Sequence, residues 1–339
     1  MQNEILHIDN VSIGYGKKKQ AKIICSELNA SINSGELVCM LGKNGAGKST
    51  LIRTICGFQP ALDGVIRLWG EHVADISKTK LSRLVAVVLT ERLTIPNATV
   101  YELVSLGRSP YTGAFGVLNK KDKQMVADSV EKCGIGHKMY EKLSDLSDGE
   151  KQKAFIAKAL AQDTKLIVLD EPTAFLDLPS RIEIVQLLRD ISSTRNRAVL
   201  MSTHDMDLAM QMADKLWLLS DKDKLKSGSP EDLILSNFFQ GYFDTRNIKF
   251  DNESRMFKVK HIYQHSLPTN ADGLEFNLLS TAFARKGVEL SARKNARETF
   301  VQLNKNKARP FVFYKNNELL VEEDSIERFV RNVLLNINQ

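Results

Sequence analysis

Residues 42 to 50 of the chain read Gly42-Lys43-Asn44-Gly45-Ala46-Gly47-Lys48-Ser49-Thr50. They fit the pattern G-x-x-x-x-G-K-[ST] and lie between an apolar run, residues 37 to 41, and a helix-like run, residues 51 to 56. Glycines in such a loop let successive backbone N–H groups point at phosphate oxygens. Lys48 adds positive charge for the β- and γ-phosphates, and Ser49 offers a hydroxyl to Mg²⁺. The sequence therefore predicts a loop that binds the phosphates of a nucleotide.

Length and composition indicate a folded protein of two units. The chain has 339 residues, of which 43% are hydrophobic, and this is enough for one large domain and a smaller one. The sequence contains no run of about 18 apolar residues, and its first residues lack the charged and then apolar pattern of a signal peptide. We therefore expect a cytoplasmic protein.

The cysteines and the charges argue against two further kinds of site. The net charge of +6 is spread over the whole chain, and the short lysine runs are typical of solvated loop tips, so binding to nucleic acid is not predicted. The cysteines are scattered and form no C-x-x-C pair, so we interpret them as reduced packing residues and not as disulfide partners or metal ligands. They are Cys25, Cys39, Cys56 and Cys133.

Apolar periodicity predicts an α/β core. Residues 4 to 15 and 23 to 32 alternate like strands with one covered face, and they precede the apolar strand of residues 37 to 41. The alternation of strands with helix-like stretches predicts a doubly wound, mostly parallel sheet with an antiparallel edge. The further predicted strands are residues 65 to 69, 83 to 89, 165 to 170 and 198 to 202.

Two stretches depart from this alternation. Residues from about 91 to 160 are dominated by helical periods, which predicts a helical subdomain inserted into the core. A polar stretch then predicts a boundary between a large nucleotide-binding domain, residues 1 to 247, and a small α/β domain, residues 248 to 339. The small domain is expected to build its core from Val259, Ile262, Leu278, Leu279, Phe283, Val301, Phe311, Phe313, Phe329 and Val333.

An apolar strand after the helical stretch ends in two carboxylates. Asp170 and Glu171 follow residues 166 to 169, at the carboxyl edge where such sheets bind their ligands. Hydrolysis of a nucleotide needs both groups, because one carboxylate holds the Mg²⁺ shell and the other orients the attacking water. His204, directly after the strand of residues 198 to 202, is expected at the same edge.

The segment Leu146-Ser147-Asp148-Gly149-Glu150 opens a helix. At such a helix start, the hydroxyl of Ser147, backbone N–H groups and the positive helix end face outward together. Taken alone, Ser147 and Glu150 also fit an ordinary capping box.

In their order along the chain, these motifs resemble the ATP-binding subunit of ABC transporters, over residues 4 to about 245. The motifs are Tyr15, residues 42 to 50, residues 146 to 150, Asp170-Glu171, Leu176-Asp177 and Ser202-Thr203-His204-Asp205. The resemblance implies a P-loop NTPase fold and the cofactors ATP and Mg²⁺. It also implies a homodimer that closes head to tail, so that each ATP lies between the phosphate loop of one subunit and the segment 146 to 150 of the other.

The resemblance also implies roles for single residues. Tyr15 would stack on adenine, Glu171 would be the general base, and His204 would contact the γ-phosphate and the water. Asp177 would communicate across the dimer. The implied catalytic residues are Lys48, Glu171 and His204. The implied metal contacts are Ser49, Asp170 and Thr90. The implied ATP contacts are Tyr15, Gly42, Lys43, Asn44, Gly45, Ala46, Gly47, Lys48, Ser49, Thr50, Ser147, Gly149 and Asp177.

Three positions depart from the family pattern. Thr90 stands where Gln is usual, and its shorter side chain reaches less far toward a metal ion. Asp148 and Glu150 stand where Gly and Gln are common. A carboxylate at residue 148 repels a γ-phosphate unless it points to solvent.

Residues 99 to 111 look like the corresponding segment of importers of iron-siderophore, haem or cobalamin complexes. This implies a peripheral protein on the cytoplasmic face of the membrane, with an integral membrane permease and a solute-binding protein as partners. One alternative is a soluble ABC-type ATPase of translation or DNA repair, but such proteins usually carry two cassettes or a long coiled coil, and this sequence shows one phosphate loop and no sustained heptads. Another is a binding module that has lost turnover; the presence of Lys48, Asp170, Glu171 and His204 argues against it.

Overall fold

The structure, a computed structural model, describes residues 4–16, 21–89, 97–113, 115–194, 197–220, 225–239, 248–251, 256–292, 299–304 and 307–337. The chain forms two compact units, Met1–Phe238 and Phe239–Gln339. The sequence predicts that the two folding domains meet between residues 247 and 248, and this boundary stays a prediction.

The first unit contains ten strands and eight α-helices in its described residues. The strands are β1 Glu4–Tyr15, β2 Lys22–Asn33, β3 Leu37–Gly42, β4 Asp63–Leu68, β5 Glu71–His72, β6 Val85–Val88, β7 Leu166–Leu169, β8 Ala198–Ser202, β9 Lys215–Leu219 and β10 Leu225–Gly228. The helices are α1 Lys48–Ile55, α2 Lys78–Leu84, α3 Val100–Ser105, α4 Lys120–Lys132, α5 Asp148–Ala161, α6 Leu178–Thr194, α7 Met206–Met212 and α8 Pro230–Leu235.

The strands of the first unit form two sheets. The larger has the order β10-β9-β3-β8-β7-β6, in which every pair is parallel except β10 with β9. The smaller has the order β2-β1-β4-β5 and is antiparallel. The predicted α/β fold with a mostly parallel sheet is confirmed, and the predicted antiparallel edge is a sheet of its own.

One hydrophobic core lies between the two sheets and α1. It includes Ile8 of β1, Val38 of β3, Leu51 of α1, Val168 of β7 and Leu200 of β8, each without exposed surface or nearly so. All of β3, β7 and β8 is buried, as expected for the central strands of a parallel sheet. The carboxyl ends of these adjacent strands therefore form one edge, and the predicted site residues follow directly from it.

Helices α3, α4 and α5 pack against one another within the stretch predicted to be a helical subdomain. A 3₁₀ helix, Leu106–Tyr111, follows α3. Its Arg108 is buried, forms an ion pair with Asp122 of α4 at 3.0 Å, and donates to the carbonyl of Ala161 at the end of α5 at 2.8 Å. This buried pair joins three helical segments that are far apart in sequence.

The predicted strand of residues 83 to 89 is shorter than expected. Ser77 accepts a hydrogen bond from the backbone of Lys80 and caps α2, which continues to Leu84. Arg83 and Leu84 are therefore helical, and the strand is limited to Val85–Val88. The prediction was wrong at Arg83 and Leu84, because the apolar period of α2 runs directly into that of β6, and at Leu89, which follows the end of β6.

The second unit has a small α/β fold. Its elements are β11 Ile248–Asp251, β12 Met256–Val259, β13 His265–Thr269, α9 Gly273–Ala284, β14 Val288–Ala292, β15 Phe300–Leu303, β16 Phe311–Lys315, β17 Glu318–Glu323 and α10 Ile326–Ile337. Strands β11 and β12 form a hairpin, and the other strands form a sheet of order β14-β13-β15-β16-β17. No strand was predicted at β13 or β14, the parallel pair that flanks α9.

The core of the second unit includes Leu279, Phe283, Val301, Phe313, Phe329 and Val333, as predicted, with Phe311 packed against it. Three predicted core residues are instead exposed: Val259, Ile262 and Leu278. Val259 and Ile262 lie at and after the end of the β12 hairpin strand, and Leu278 lies on the outer side of α9. Among the described residues of the whole chain, no helix is long and apolar enough to span a membrane.

Candidate functional site

The phosphate loop connects β3 to α1 and requires glycine at two positions. Gly47 has a φ of 98°, and a Cβ there would lie 2.9 Å from a methyl carbon of Ile24. A Cβ on Gly42 would lie 2.8 Å from the carbonyl oxygen of Leu219. Only a residue without a side chain fits either position, so the backbone can follow the tight curve that the motif predicts.

Lys48 lies at the first turn of α1 and is almost fully buried. Its ammonium group donates to the carbonyl oxygens of Gly42, at 2.8 Å, and Lys43, at 3.3 Å. Burial lowers the pKa of Lys48, and the negative charges of Glu171 and Asp170 act in the opposite direction. The positive charge is therefore held inside the curve of the loop and faces the two carboxylates.

Tyr15, at the end of β1, is held at the phosphate loop. Its hydroxyl lies 2.9 Å from the hydroxyl of Thr50, and the side chain remains half exposed. The loop is also supported from behind, where the thiol of Cys25 donates to the carbonyl of Ala46 at 3.2 Å. Ser49 is exposed at the start of α1. The structure thus places an accessible aromatic ring beside the phosphate loop and an accessible hydroxyl on it.

The two carboxylates follow β7 and are held by the neighbouring strand β8. Asp170 is buried and accepts a hydrogen bond from the hydroxyl of Ser202 at 2.6 Å. The backbone N–H of Glu171 donates to the same hydroxyl at 2.9 Å. One carboxylate oxygen of Glu171 lies 2.7 Å from Nε2 of His204, and that nitrogen lies 3.4 Å from Nζ of Lys48. Lys48, Glu171 and His204 therefore form one contact group.

The segment of residues 146 to 150 begins α5 with a complete capping box. The hydroxyl of Ser147 accepts from the backbone of Glu150 at 3.3 Å, and the backbone N–H of Ser147 donates to the Glu150 carboxylate at 2.8 Å. Glu150 also pairs with Lys138 at 3.2 Å. The backbone N–H and the hydroxyl of Ser147, which both donate to the Glu150 carboxylate, hold the pKa of Glu150 below its ordinary value together with the ion pair to Lys138. Asp148 is exposed to solvent.

Asp177 directly precedes α6 and is exposed. One of its carboxylate oxygens accepts from the backbone N–H of Ser180 at 3.1 Å. The hydroxyl and the backbone N–H of Ser180 hold the pKa of Asp177 below its ordinary value. Asp177 therefore keeps its negative charge at neutral pH.

Comparison with known proteins identifies the family of this arrangement. The family described as ABC transporter matches residues 25–174. The uncharacterized ABC transporter ATP-binding protein MJ0873 of Methanocaldococcus jannaschii is 36% identical over 257 residues, which cover 76% of this chain and 87% of that protein. The chain belongs to the ABC transporter ATP-binding proteins.

Other members of the family are similar in sequence or in fold. The iron(3+)-hydroxamate import ATP-binding protein FhuC of Bacillus subtilis is 32% identical over 238 residues, covering 70% of this chain and 87% of that protein. A solved structure described as a metal-chelate type ABC transporter in an inward-facing conformation has a TM-score of 0.63, at 25% identity, and covers 77% of this chain and 99% of that chain. The chain is thus an ABC ATPase, which binds and hydrolyses ATP, as the motifs predicted.

The residues of this ABC ATPase fit a magnesium ion that is shared with a nucleotide. Ser49 and Asp170 offer hard oxygen ligands, which Mg²⁺ prefers. Within the described part of the chain, no group of three or more His, Cys, Asp or Glu side chains could hold a metal ion by itself. A site that supplies only one or two protein ligands suits Mg²⁺, because this ion usually completes its shell with water and substrate phosphates.

One predicted residue of the ABC ATPase cannot be placed, and one important residue was missed. Thr90, the predicted metal contact, lies outside the described residues, so its role stays a prediction. Ser202, which contacts both Asp170 and Glu171, was quoted only as part of the motif around His204. Its position at the end of a buried strand, beside the strand that carries the carboxylates, was the available signal.

Proposed function

We propose that this chain is the ATP-hydrolysing subunit of an ABC importer that takes up a metal chelate, namely an iron-siderophore, haem or cobalamin complex. The observation that carries the proposal is the contact group of Lys48, Glu171 and His204 at the end of the phosphate loop. A buried ammonium, a carboxylate and an imidazole in contact at this place are suited to transfer of a phosphoryl group to water.

Each part of the site has a defined task in the proposed reaction. The phosphate loop, Gly42 to Thr50, holds the phosphates with its backbone N–H groups, and Lys48 compensates their charge. Ser49 and Asp170 would hold Mg²⁺, which neutralises charge that develops on the transferred phosphoryl group. Tyr15 stacks its half-exposed ring on the adenine.

Glu171 is the proposed general base. Its carboxylate takes a proton from the attacking water, and His204 orients that water and the γ-phosphate. The 2.7 Å contact between the two side chains supports this assignment, because both then reach the same point beside Lys48. A glutamate can remove a proton efficiently only from a water in hydrogen-bond reach.

The proposed active form is a homodimer that closes head to tail. Ser147 and Gly149 lie at the start of α5, a helix of 14 residues, and Ser147 is exposed there. The backbone N–H groups and the dipole of such a helix end favour an anion, so the segment is suited to the γ-phosphate of the partner's ATP. Asp177, exposed and charged, would contact the partner and transmit the state of the site.

The proposed substrate class rests on similarity to importers. FhuC, a relative in the family, is named for iron(3+)-hydroxamate import, and the structural similarity extends to a metal-chelate type transporter. The proposed partners are an integral membrane permease and a solute-binding protein, with the ATPase bound at the cytoplasmic face of the membrane. Binding to nucleic acid is not part of the proposal.

The proposal is tested by reconstituting the full chain with a candidate importer permease from the same genome. The proteoliposomes contain ATP, and the solute-binding protein is added outside them. A ferric hydroxamate, haem or cobalamin is then supplied outside, and its uptake into the vesicles is measured. We expect uptake of one of the three that depends on ATP and is abolished by Glu171→Gln.

A soluble ABC-type ATPase that takes no part in transport would give a different result. The wild-type chain would hydrolyse ATP, would not copurify with the permease, and its ATPase rate would not respond to the loaded solute-binding protein. That combination would contradict the transport proposal while leaving the ATPase assignment intact.

A further inference from the structure

Ser202 is the last residue of β8 and has no exposed surface. Its hydroxyl oxygen lies 2.6 Å from Oδ1 of Asp170 and 2.9 Å from the backbone nitrogen of Glu171. A single buried hydroxyl therefore contacts both of the residues that follow β7. Because Ser202 belongs to β8, it joins the ends of two neighbouring strands at the edge of the site.

The direction of both hydrogen bonds is determined by chemistry. A backbone N–H can only donate, so the oxygen of Ser202 accepts the bond from Glu171. A serine hydroxyl has one hydrogen, and that hydrogen is then donated to the carboxylate of Asp170. The bond to a charged acceptor is the stronger kind, and the two bonds polarise each other because they run in one direction.

The backbone of Glu171 needs this support. Its φ is 50°, in the left-handed region that residues with a Cβ rarely adopt and that persists only where the surroundings hold it. Ser202 accepts the N–H of Glu171, and the carbonyl of Glu171 accepts from the backbone of Ala174 at 3.1 Å. These two bonds hold the turn from which the Glu171 side chain reaches His204.

We infer that Ser202 is a positioning residue for ATP hydrolysis. Its hydroxyl orients the carboxylate of Asp170 and holds the left-handed backbone of Glu171, so that the two carboxylates keep their separate directions. Ser202 acts through these residues, because it is buried behind them. The inference rests on the proposed roles of Asp170 and Glu171 and adds the group that sets their geometry.

The test compares Ser202→Thr with Ser202→Val in the full chain. Threonine and valine have almost the same shape, so the pair isolates the hydroxyl from any change in packing. The first measurement is hydrogen exchange of the Glu171 amide, by NMR on protein labelled with ¹⁵N-glutamate and without nucleotide added. We expect this amide to be protected in the wild type and in Ser202→Thr, and to exchange on the order of tenfold faster in Ser202→Val.

The second measurement is steady-state ATP hydrolysis. We expect kcat of Ser202→Val to be lower than that of Ser202→Thr by on the order of tenfold or more, since small displacements of a reacting group are costly. The KM for ATP should stay within about twofold, because the phosphate loop makes no use of Ser202. The matched control is Ser192→Ala, which removes another fully buried hydroxyl, bonded to the carbonyl of Arg189 in α6.

Equal exchange of the Glu171 amide and equal kcat in Ser202→Thr and Ser202→Val would overturn the inference. Glu171→Gln is measured in the same assay, and its inactivity shows that the site itself works as proposed. Turnover retained in Glu171→Gln would instead refute the proposed base, and the inference with it. If neither larger side chain allows folding, Ser202→Ala compared with Ser192→Ala gives the same two readings.

Discussion

His204 and Glu171 contact each other directly, with Nε2 of the histidine 2.7 Å from Oε1 of the glutamate. The same nitrogen lies 3.4 Å from Nζ of Lys48, although Lys48 and His204 are 156 residues apart in sequence. The imidazole therefore lies between the positive group of the phosphate loop and the proposed base. Substitutions at these positions should separate nucleotide binding from hydrolysis.

We expect Glu171→Gln to bind ATP and to lose hydrolysis. The amide cannot take a proton from water, and a general base contributes a factor of roughly 10² to 10⁴ in rate. Because the closed state then accumulates, gel filtration with ATP should show a dimer.

The matched control for this variant is Glu183→Gln, which removes an exposed carboxylate paired with Lys153 at 2.7 Å. It should hydrolyse ATP like the wild type. A monomer at every ATP concentration in Glu171→Gln would contradict the shared-site mechanism.

Lys48→Ala should lose affinity for ATP. The loop loses its buried positive charge at the β- and γ-phosphates, and a hydrogen bond to a charged group of this kind corresponds to a fall of roughly 10- to 100-fold. Calorimetry with Mg·ATP measures the affinity, with Lys80→Ala as control, since Lys80 pairs with Glu71 on the surface of α2. Unchanged affinity in Lys48→Ala would show that the phosphate-loop assignment is wrong.

Ser147→Ala separates the capping role of Ser147 from its proposed contact with the partner's ATP. Ser229 caps α8 in the same way, by accepting from the backbone of Asp232 at 3.1 Å. Loss of either cap should cost about 1 kcal/mol of stability. Ser229→Ala is the matched control and should leave kcat for ATP hydrolysis unchanged. Ser147→Ala should lower kcat by about tenfold or more. If both variants keep full ATPase activity, Ser147 is a cap and no more.

The second unit should be dispensable for ATP hydrolysis, because all the proposed catalytic and ATP-contacting residues lie in the first unit. Phe239 is fully buried, and its ring lies 4.9 Å from that of Phe250, also in the second unit. A chain that ends at Asn247 keeps Phe239 without this partner. We therefore expect a chain that ends at Phe238 to be more soluble and equally active.

The measurement for this prediction is the ATPase rate at several protein concentrations for the full chain and the two shortened chains. If both shortened chains are insoluble or inactive at every concentration, the second unit is part of the catalytic unit. A higher concentration for half-maximal rate in the shortened chains would indicate that the second unit supports dimerisation.

The predictions from sequence succeeded where structure depends on neighbours along the chain. Glycines at set spacing before Lys48 determine the curve of the loop, and Ser147 with Glu150 three residues later determines the start of α5. They failed where a helix ran directly into a strand, at Arg83 and Leu84, and where exposed apolar residues such as Ile262 looked like core. Periodicity alone does not distinguish these cases.

The sequence by itself determined the fold class, the family and the set of residues proposed to bind and hydrolyse ATP, because each motif is a local pattern with its own chemistry. Only the tertiary structure decided which of these residues contact each other. The order β3-β8-β7 brings the ends of three strands side by side, and with them Lys48, His204 and Glu171. The role of Ser202 also depends on this order, because its hydroxyl reaches Asp170 only across the gap between two paired strands.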